Sequence, residues 1–299
     1  MIEIADGDSR VRVVPEAGGA LAGFTWRGID ILRPASDEAL AARSARGMAS
    51  YPLVPYSNRI GQGLLRAGRR THALRLNAPP EPHALHGIGW QRAWRVTDAT
   101  PTRVAMSLAQ VPDPDWPFRF ACEQVIALRG GRLEASLEIA NADTESFPAG
   151  LGFHPFFPAP AGTRLQTAWS SWWTVDARHL PVARLPVPAE ADFRDGRVLD
   201  GWRVDNPFGG WSREAILSYP THRTRLAAGE ALDHAIAYSP GDGTFLALEP
   251  VSHTIDAFAL AANGVGGTGT RYLAAGERWR VSMAIEVMPA DIVGIADSR

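Results

Sequence analysis

Apolar and polar positions alternate along much of this chain. Between 279 and 287, Trp279, Val281, Met283, Ile285 and Val287 fall on one side, and residues 133–139 alternate in the same way. A period of two is the pattern of a half-buried antiparallel strand. Residues 122–128 and 133–139 flank Arg129-Gly130-Gly131-Arg132, which predicts a β-hairpin turning on the glycine pair. Shorter strands are expected at 11–14, 21–26, 73–76, 94–98, 104–109, 215–218 and 245–248. Helical signals are few: 36–43 predicts one short helix capped by Ser36, and 290–296 is ambiguous. Strands do not alternate with helices, so a doubly wound nucleotide fold is not expected. The proline-rich stretch 180–188 reads as a surface connection, and no repeat or linker divides the chain. One all-β domain over residues 1–299, a large antiparallel β-sandwich, accounts for the pattern.

Composition adds exclusions. Of the 299 residues, 45% are hydrophobic and 21% charged, which is a globular balance. Thirty basic against 32 acidic residues give a net charge of −2, and no electrostatic case for a nucleic-acid or membrane-surface partner. No apolar run reaches the length of about 18 residues that a membrane helix needs. The first residues lack the pattern of a secretory signal, so a cytoplasmic location is expected, as a monomer or homodimer. Cys122 is the single cysteine, which excludes an intrachain disulfide and a multi-cysteine metal cluster. All 30 basic residues are arginine. Schiff-base chemistry and a P-loop lysine are therefore excluded.

Four segments carry candidate chemistry. The first, Tyr51-Pro52-Leu53-Val54-Pro55-Tyr56-Ser57-Asn58-Arg59-Ile60, is stiffened by two prolines and reads as a fixed loop presenting Asn58 and Arg59 side by side. Together these donate several hydrogen bonds to hydroxyls or anions; the plainer alternative is a turn amide and a surface arginine. In the second, His83 and His86 have a spacing compatible with metal, but no acidic partner lies in the segment. The alternative is one hydrogen-bonding site histidine with Trp90 packed beside it. The third encloses His154 between aromatics and prolines, as a site residue or a satisfied core histidine. In the fourth, Glu249 ends an apolar run, and a carboxylate there must be paired, solvated at a cleft or functionally placed. Upstream, Asp205 lies in what reads as an aromatic, glycine-rich loop.

Five motifs in order resemble the aldose 1-epimerase (mutarotase) family: PLVPYSNRIGQG at 52–63, LHGIGW at 85–90, GFHPFFP at 152–158, DNPFGGW at 205–211 and LEPVSH at 248–253. The resemblance implies a β-sandwich of the galactose mutarotase type and cofactor-free interconversion of the α and β anomers of an aldose. It implies Glu249 as general base and His154 as general acid, with Asn58, Arg59, His86 and Asp205 binding the sugar and no metal. Asp233 is a rival to Asp205. The segment 153–157 departs from the Asn-His-x-Tyr-Phe pattern of galactose-type members, so the preferred aldose is left open. With these roles, Glu249 is expected ionised and His154 protonated at rest, their attraction raising the histidine pKa. Trp90 and Trp211 are the expected stacking partners for the sugar. His72, His179, His222, His234 and His253 are expected to be surface or structural.

Three other readings remain. A hexose-6-phosphate 1-epimerase needs a cationic pocket, for which Arg59, Arg66, Arg69 and Arg70 are the possible source. A non-catalytic carbohydrate-binding module needs no acid–base pair. A glycosidase needs two carboxylates at a defined separation, which only Glu249 and Asp205 offer.

Overall fold

A computed structural model describes residues 1–290. Of the ambiguous 290–296 stretch only Ala290 falls within it. Two large antiparallel sheets dominate. The nine-stranded sheet runs Arg95–Thr100, Arg103–Gln110, Phe120–Arg129, Arg132–Asn141, Arg278–Pro289, His222–Ala228, Glu214–Ser218, Arg164–Thr167 and Arg197–Val198. The second orders Pro181–Leu185, Ser171–Val175, Val204–Gly209, His234–Ser239, Phe245–Val251, Gly152–Phe153 and Pro52–Leu53, with Phe156–Pro158 also paired to Phe245–Val251. A four-stranded sheet of residues 2–32 completes the main layers. The fold is an all-β, antiparallel sandwich, as the pattern predicts.

The predicted hairpin forms between Phe120–Arg129 and Arg132–Asn141, turning on Gly130 and Gly131, both at positive φ. Its two strands bury alternate residues, so one face meets the core. The short helix is Asp37–Ala42, and Ser36 Oγ accepts from the Ala39 N–H at 3.1 Å. Cys122 is a buried core thiol. No helix among the described residues is long and apolar enough to cross a membrane.

Several local expectations are corrected. Pro181–Leu185 is a strand, not a surface connection, and Asp205 lies in the strand Val204–Gly209, not a loop. Pro207 hides that strand in the sequence. It is tolerated because pairing with Ser171–Val175 covers only Gly209 and Phe208, so its missing N–H breaks no ladder there. The 73–76 segment is displaced: the strand is Arg70–Ala73. Helix Ala257–Ala262 has no predicted counterpart.

The strand Phe245–Val251 is buried at six of its seven positions, which places it deep in its sheet. On one side it pairs continuously with His234–Ser239. On the other its partner is interrupted: Gly152 faces Val251 and Phe156 faces Ala247, with His154 and Pro155 between. Pro155 has no N–H for a ladder. The break falls opposite Glu249.

Candidate active site

The interrupted ladder sets the centre of a cavity of about 320 Å³. Extending the register across the break puts His154 directly opposite Glu249. Opposed residues on one face of an antiparallel pair have Cβ atoms about 4.5–5.5 Å apart, so their side chains meet. His154 Nε2 lies 3.2 Å from Glu249 Oε1. The other edge of the His154 segment is held by its N–H, which donates to the Tyr51 carbonyl at 3.0 Å. Residues two apart share a face, so the register also places Tyr51, Phe156, Asp205, Tyr238 and Phe245 on this side of the sheet. All five line the cavity. The His154 ring is flanked by Tyr51 and Phe156, with ring centroids at 4.6 and 4.5 Å.

A second wall comes from loops. The short strand Arg59–Ile60 pairs with Ala84–Leu85, bringing the Asn58 and His86 segments together. The His86 N–H donates to the Asn58 carbonyl at 2.8 Å, and the Asn58 N–H donates to His86 Nδ1 at 3.0 Å. Both residues have positive φ, and Gly87 follows at φ +70°. A Cβ on Gly87 would lie 2.2 Å from the Val54 carbonyl oxygen, so this turn admits only glycine. Arg59 is held by three groups. Its Nε donates to Glu81 Oε2 at 3.4 Å, its Nη2 to Asp205 Oδ2 at 3.3 Å and its Nη1 to Asn58 Oδ1 at 3.2 Å. His179 Nδ1 approaches the same Asp205 Oδ2 at 3.2 Å.

All six sequence-predicted site residues, Asn58, Arg59, His86, His154, Asp205 and Glu249, line this one cavity. Asp233 does not: its carboxylate meets His234 Nδ1 at 2.7 Å beside a different depression. His83 also turns away. Its Nδ1 accepts from the Gln62 N–H and its Nε2 meets the Arg178 carbonyl, so it braces two loops. Trp90 and Trp211 are core residues whose indole N–H groups donate to Leu85 and Gly87 carbonyls and to Thr167 Oγ1. The aromatic faces on the cavity are instead Tyr51, Phe156, Tyr238 and Phe245. Arg66, Arg69 and Arg70 are exposed on the Leu64–Ala67 and Arg70–Ala73 hairpin and do not line the cavity. Sequence reading missed Arg33, Arg46, Glu81 and Tyr51 as lining residues and His179 as a partner of Asp205. Of these only Tyr51 carried a signal, heading the first motif.

The charge state of the central pair corrects the expectation of an ion pair. Burial pushes the His154 pKa down to about 3, with Arg33 and Arg46 adding to the fall and a backbone hydrogen bond opposing it. Burial also drives Glu249 well above the usual carboxylate range, with Asp205 reinforcing and Arg59 opposing. For both groups burial is the largest cause, and it disfavours the charged form of each. Both shifts favour the neutral forms of the two groups over an ion pair. Glu249 Oε2 is buried without a hydrogen bond among the described residues, a cost of about 1–3 kcal/mol unless a ligand hydroxyl reaches it.

His86, His154 and Glu249 bring possible metal-ligand atoms within 4.8 Å of one another. Their donor chemistry does not suit a metal. Because His86 Nδ1 accepts the Asn58 N–H, its proton sits on Nε2, and a neutral imidazole in that tautomer has no second lone pair to offer. Burial holds His86 neutral, its pKa well below the usual histidine value. It acts as a hydrogen-bond donor, not a ligand.

Comparison with known proteins agrees with this architecture. A family model described as aldose 1-epimerase matches residues 1–286. The Escherichia coli (strain K12) protein YphB, itself uncharacterized, is 26% identical over 259 residues, covering 81% of this chain and 85% of YphB. A crystal structure from Escherichia coli K12, provisionally described as an aldose 1-epimerase, superposes with a TM-score of 0.87 at 24% identity, over 96% of this chain and 98% of that one. A galactose mutarotase-like protein from Clostridium acetobutylicum gives 0.85 at 17% identity, over 96% and 95%. The chain belongs to the aldose 1-epimerase family.

Proposed function

We propose that this chain is an aldose 1-epimerase, interconverting the α and β anomers of a monosaccharide by general acid–base ring opening. The observation that carries the reading is the His154–Glu249 contact of 3.2 Å at a cavity of about 320 Å³. That volume lies at the small end of ligand pockets, about 300–1,000 Å³, and suits one sugar ring.

Anomer exchange moves two protons. Glu249 takes the proton of the C1 hydroxyl while His154 delivers one to the ring oxygen, O5. The C1–O5 bond breaks, the C1–C2 bond rotates, and the reverse transfers close the ring on the other face of the aldehyde. The pair holds one proton before and after each step. Ring opening starts with the proton on His154 and ends with it on Glu249. The neutral arrangement becomes the reactive one when the shared proton crosses to His154. Sugar hydroxyls donating to Glu249 favour that shift, because hydrogen bonds to a carboxylate stabilise its charged form. Each group is worth about 10²–10⁴ in rate.

The remaining side chains position the ring. Asp205, fixed by Arg59 and His179, accepts from sugar hydroxyls. His86 Nε2–H and the Asn58 amide donate. Anomerisation of freshly dissolved aldoses, followed by polarimetry across several sugars, tests the reading. Acceleration of at least one supports it. Sugar binding without acceleration of any would make the protein a carbohydrate-binding module.

A further inference from the structure

The cavity carries more positive charge than a neutral sugar requires. Three arginines line it: Arg33, Arg46 and Arg59. Arg59 meets two carboxylates, Glu81 and Asp205, so three arginines against these two leave one net positive charge on the lining. His154 and Glu249 share one proton and sum to zero wherever it sits. Arg33 and Arg46 have no carboxylate within ion-pair distance among the described residues. Among the described residues Arg33 Nη2 donates only to the Met48 carbonyl, at 3.3 Å, and its guanidinium lies over the Phe156 and Phe245 rings at 4.0 and 4.6 Å. Arg46 makes no side-chain hydrogen bond among the described residues and is exposed at the rim.

These two cations are built in. The Arg33 N–H donates to the Phe156 carbonyl at 2.8 Å, and the Phe156 N–H donates to the Ala49 carbonyl at 2.9 Å. The Arg33 segment and the turn carrying Arg46, Ala45–Gly47, are thus tied to the strand Phe156–Pro158, which begins two residues after His154. Phe156 stacks on His154, and Arg33 sits over Phe156, one ring beyond the imidazole.

We propose that the preferred substrate is an aldose bearing an anionic group at C6, held by Arg33 and Arg46. This rests on the epimerase reading, and the bonding of the sugar makes the link. His154 serves the ring oxygen, the ring oxygen is bonded to C5, and C5 carries C6. A C6 substituent therefore projects on the His154 side, toward Arg33, and away from the Arg59–Asp205 side. A guanidinium fork suits the two or three oxygens of a carboxylate, a phosphate or a sulfonate.

The experiment compares glucose, glucose 6-phosphate and glucuronate as substrates, by NMR exchange between anomers, for wild type, Arg46→Gln and Arg33→Gln. We expect kcat/KM for at least one anionic sugar to exceed that for glucose about tenfold or more. The two anionic arms decide whether phosphate or carboxylate is read. Both substitutions are expected to lower the anionic-to-neutral ratio, Arg33→Gln the more strongly. Equal or better turnover of glucose, or a ratio that neither substitution moves, overturns the proposal. A second measurement separates it from the epimerase reading: calorimetric binding of 1,5-anhydroglucitol and its 6-phosphate, which cannot open. If no sugar is turned over but the 6-phosphate binds about tenfold tighter, charge recognition stands and the epimerase reading falls. If glucose is turned over and the two anhydro sugars bind alike, the reverse holds.

Discussion

His154 and Glu249 stand opposite one another across a broken ladder, in the register that pairs Gly152 with Val251 and Phe156 with Ala247. The register of the paired residues on either side of the break, with the His154 N–H held by the Tyr51 carbonyl at 3.0 Å, brings the two groups to 3.2 Å. Glu249 sits on a buried strand and His154 is flanked by paired strands on both sides, which favours a proton-transfer geometry that needs little adjustment.

The neutral pair predicts an unusual pH profile. The site is competent while the pair holds one proton, from the depressed value of His154, about 3, to the raised value of Glu249. The acid limb of kcat/KM should therefore lie well below 6.5, with activity sustained at pH 5. An acid limb at the ordinary histidine value would show that His154 titrates as an exposed imidazole.

Asp205→Asn should act on binding and on the alkaline limb together. It weakens the anchor of Arg59 and His179, and KM should rise about tenfold or more, with a smaller change in kcat. It also removes a negative charge that raises the Glu249 pKa. The carboxyl then ionises more readily, and the alkaline limb should move to lower pH. An unchanged limb would mean that Asp205 does not sense the pair.

Metal removal should change nothing. His86 presents Nε2–H to the cavity because its Nδ1 is taken by Asn58. Dialysis against a strong chelator should leave kcat/KM intact, and added zinc should not increase it. Loss of activity that zinc restores would contradict this tautomer.

Stability should fall as the solution is acidified from pH 7 to 5. His86, His154 and His253 are buried with lowered pKa values, His253 to about 4. The unfolded chain protonates these near 6.5 while the native state does not. Their contribution is thus full above 6.5 and shrinks below it, by about 1.4 kcal/mol per histidine per pH unit. Glu249, with its raised pKa, has the opposite sign and offsets part of this loss. The urea midpoint at pH 5 should lie below that at pH 7; a flat or rising trend would contradict the burial of these rings.

Much of the frame was legible in the sequence, because period-two burial writes itself into strands such as Phe120–Arg129, and Gly130-Gly131 marks their turn. The roles of the six predicted site residues came from the resemblance of their motifs to the aldose 1-epimerase family, with Glu249 marked besides as a carboxylate ending an apolar run. Other features had no local signature. The opposition of His154 and Glu249 depends on a register between segments far apart in the chain. Arg33, Arg46 and His179 look like any surface cation until the sheet gathers them. The direction of the pKa shifts at the pair is set by burial, which belongs to the assembled fold, while the sequence offers only the charges. Trp90 and Trp211 were the expected stacking partners because they lie nearest the motifs in the chain, and nearness in sequence does not say which face of the sheet a ring occupies.

The most direct test of the account is the rate of anomer exchange by Glu249→Gln, set beside its affinity for a closed-ring sugar analogue. The account predicts kcat/KM lower by about 10²–10⁴ with affinity nearly kept, because glutamine fills the same space and cannot take the proton. Wild-type exchange rates in this variant would contradict it.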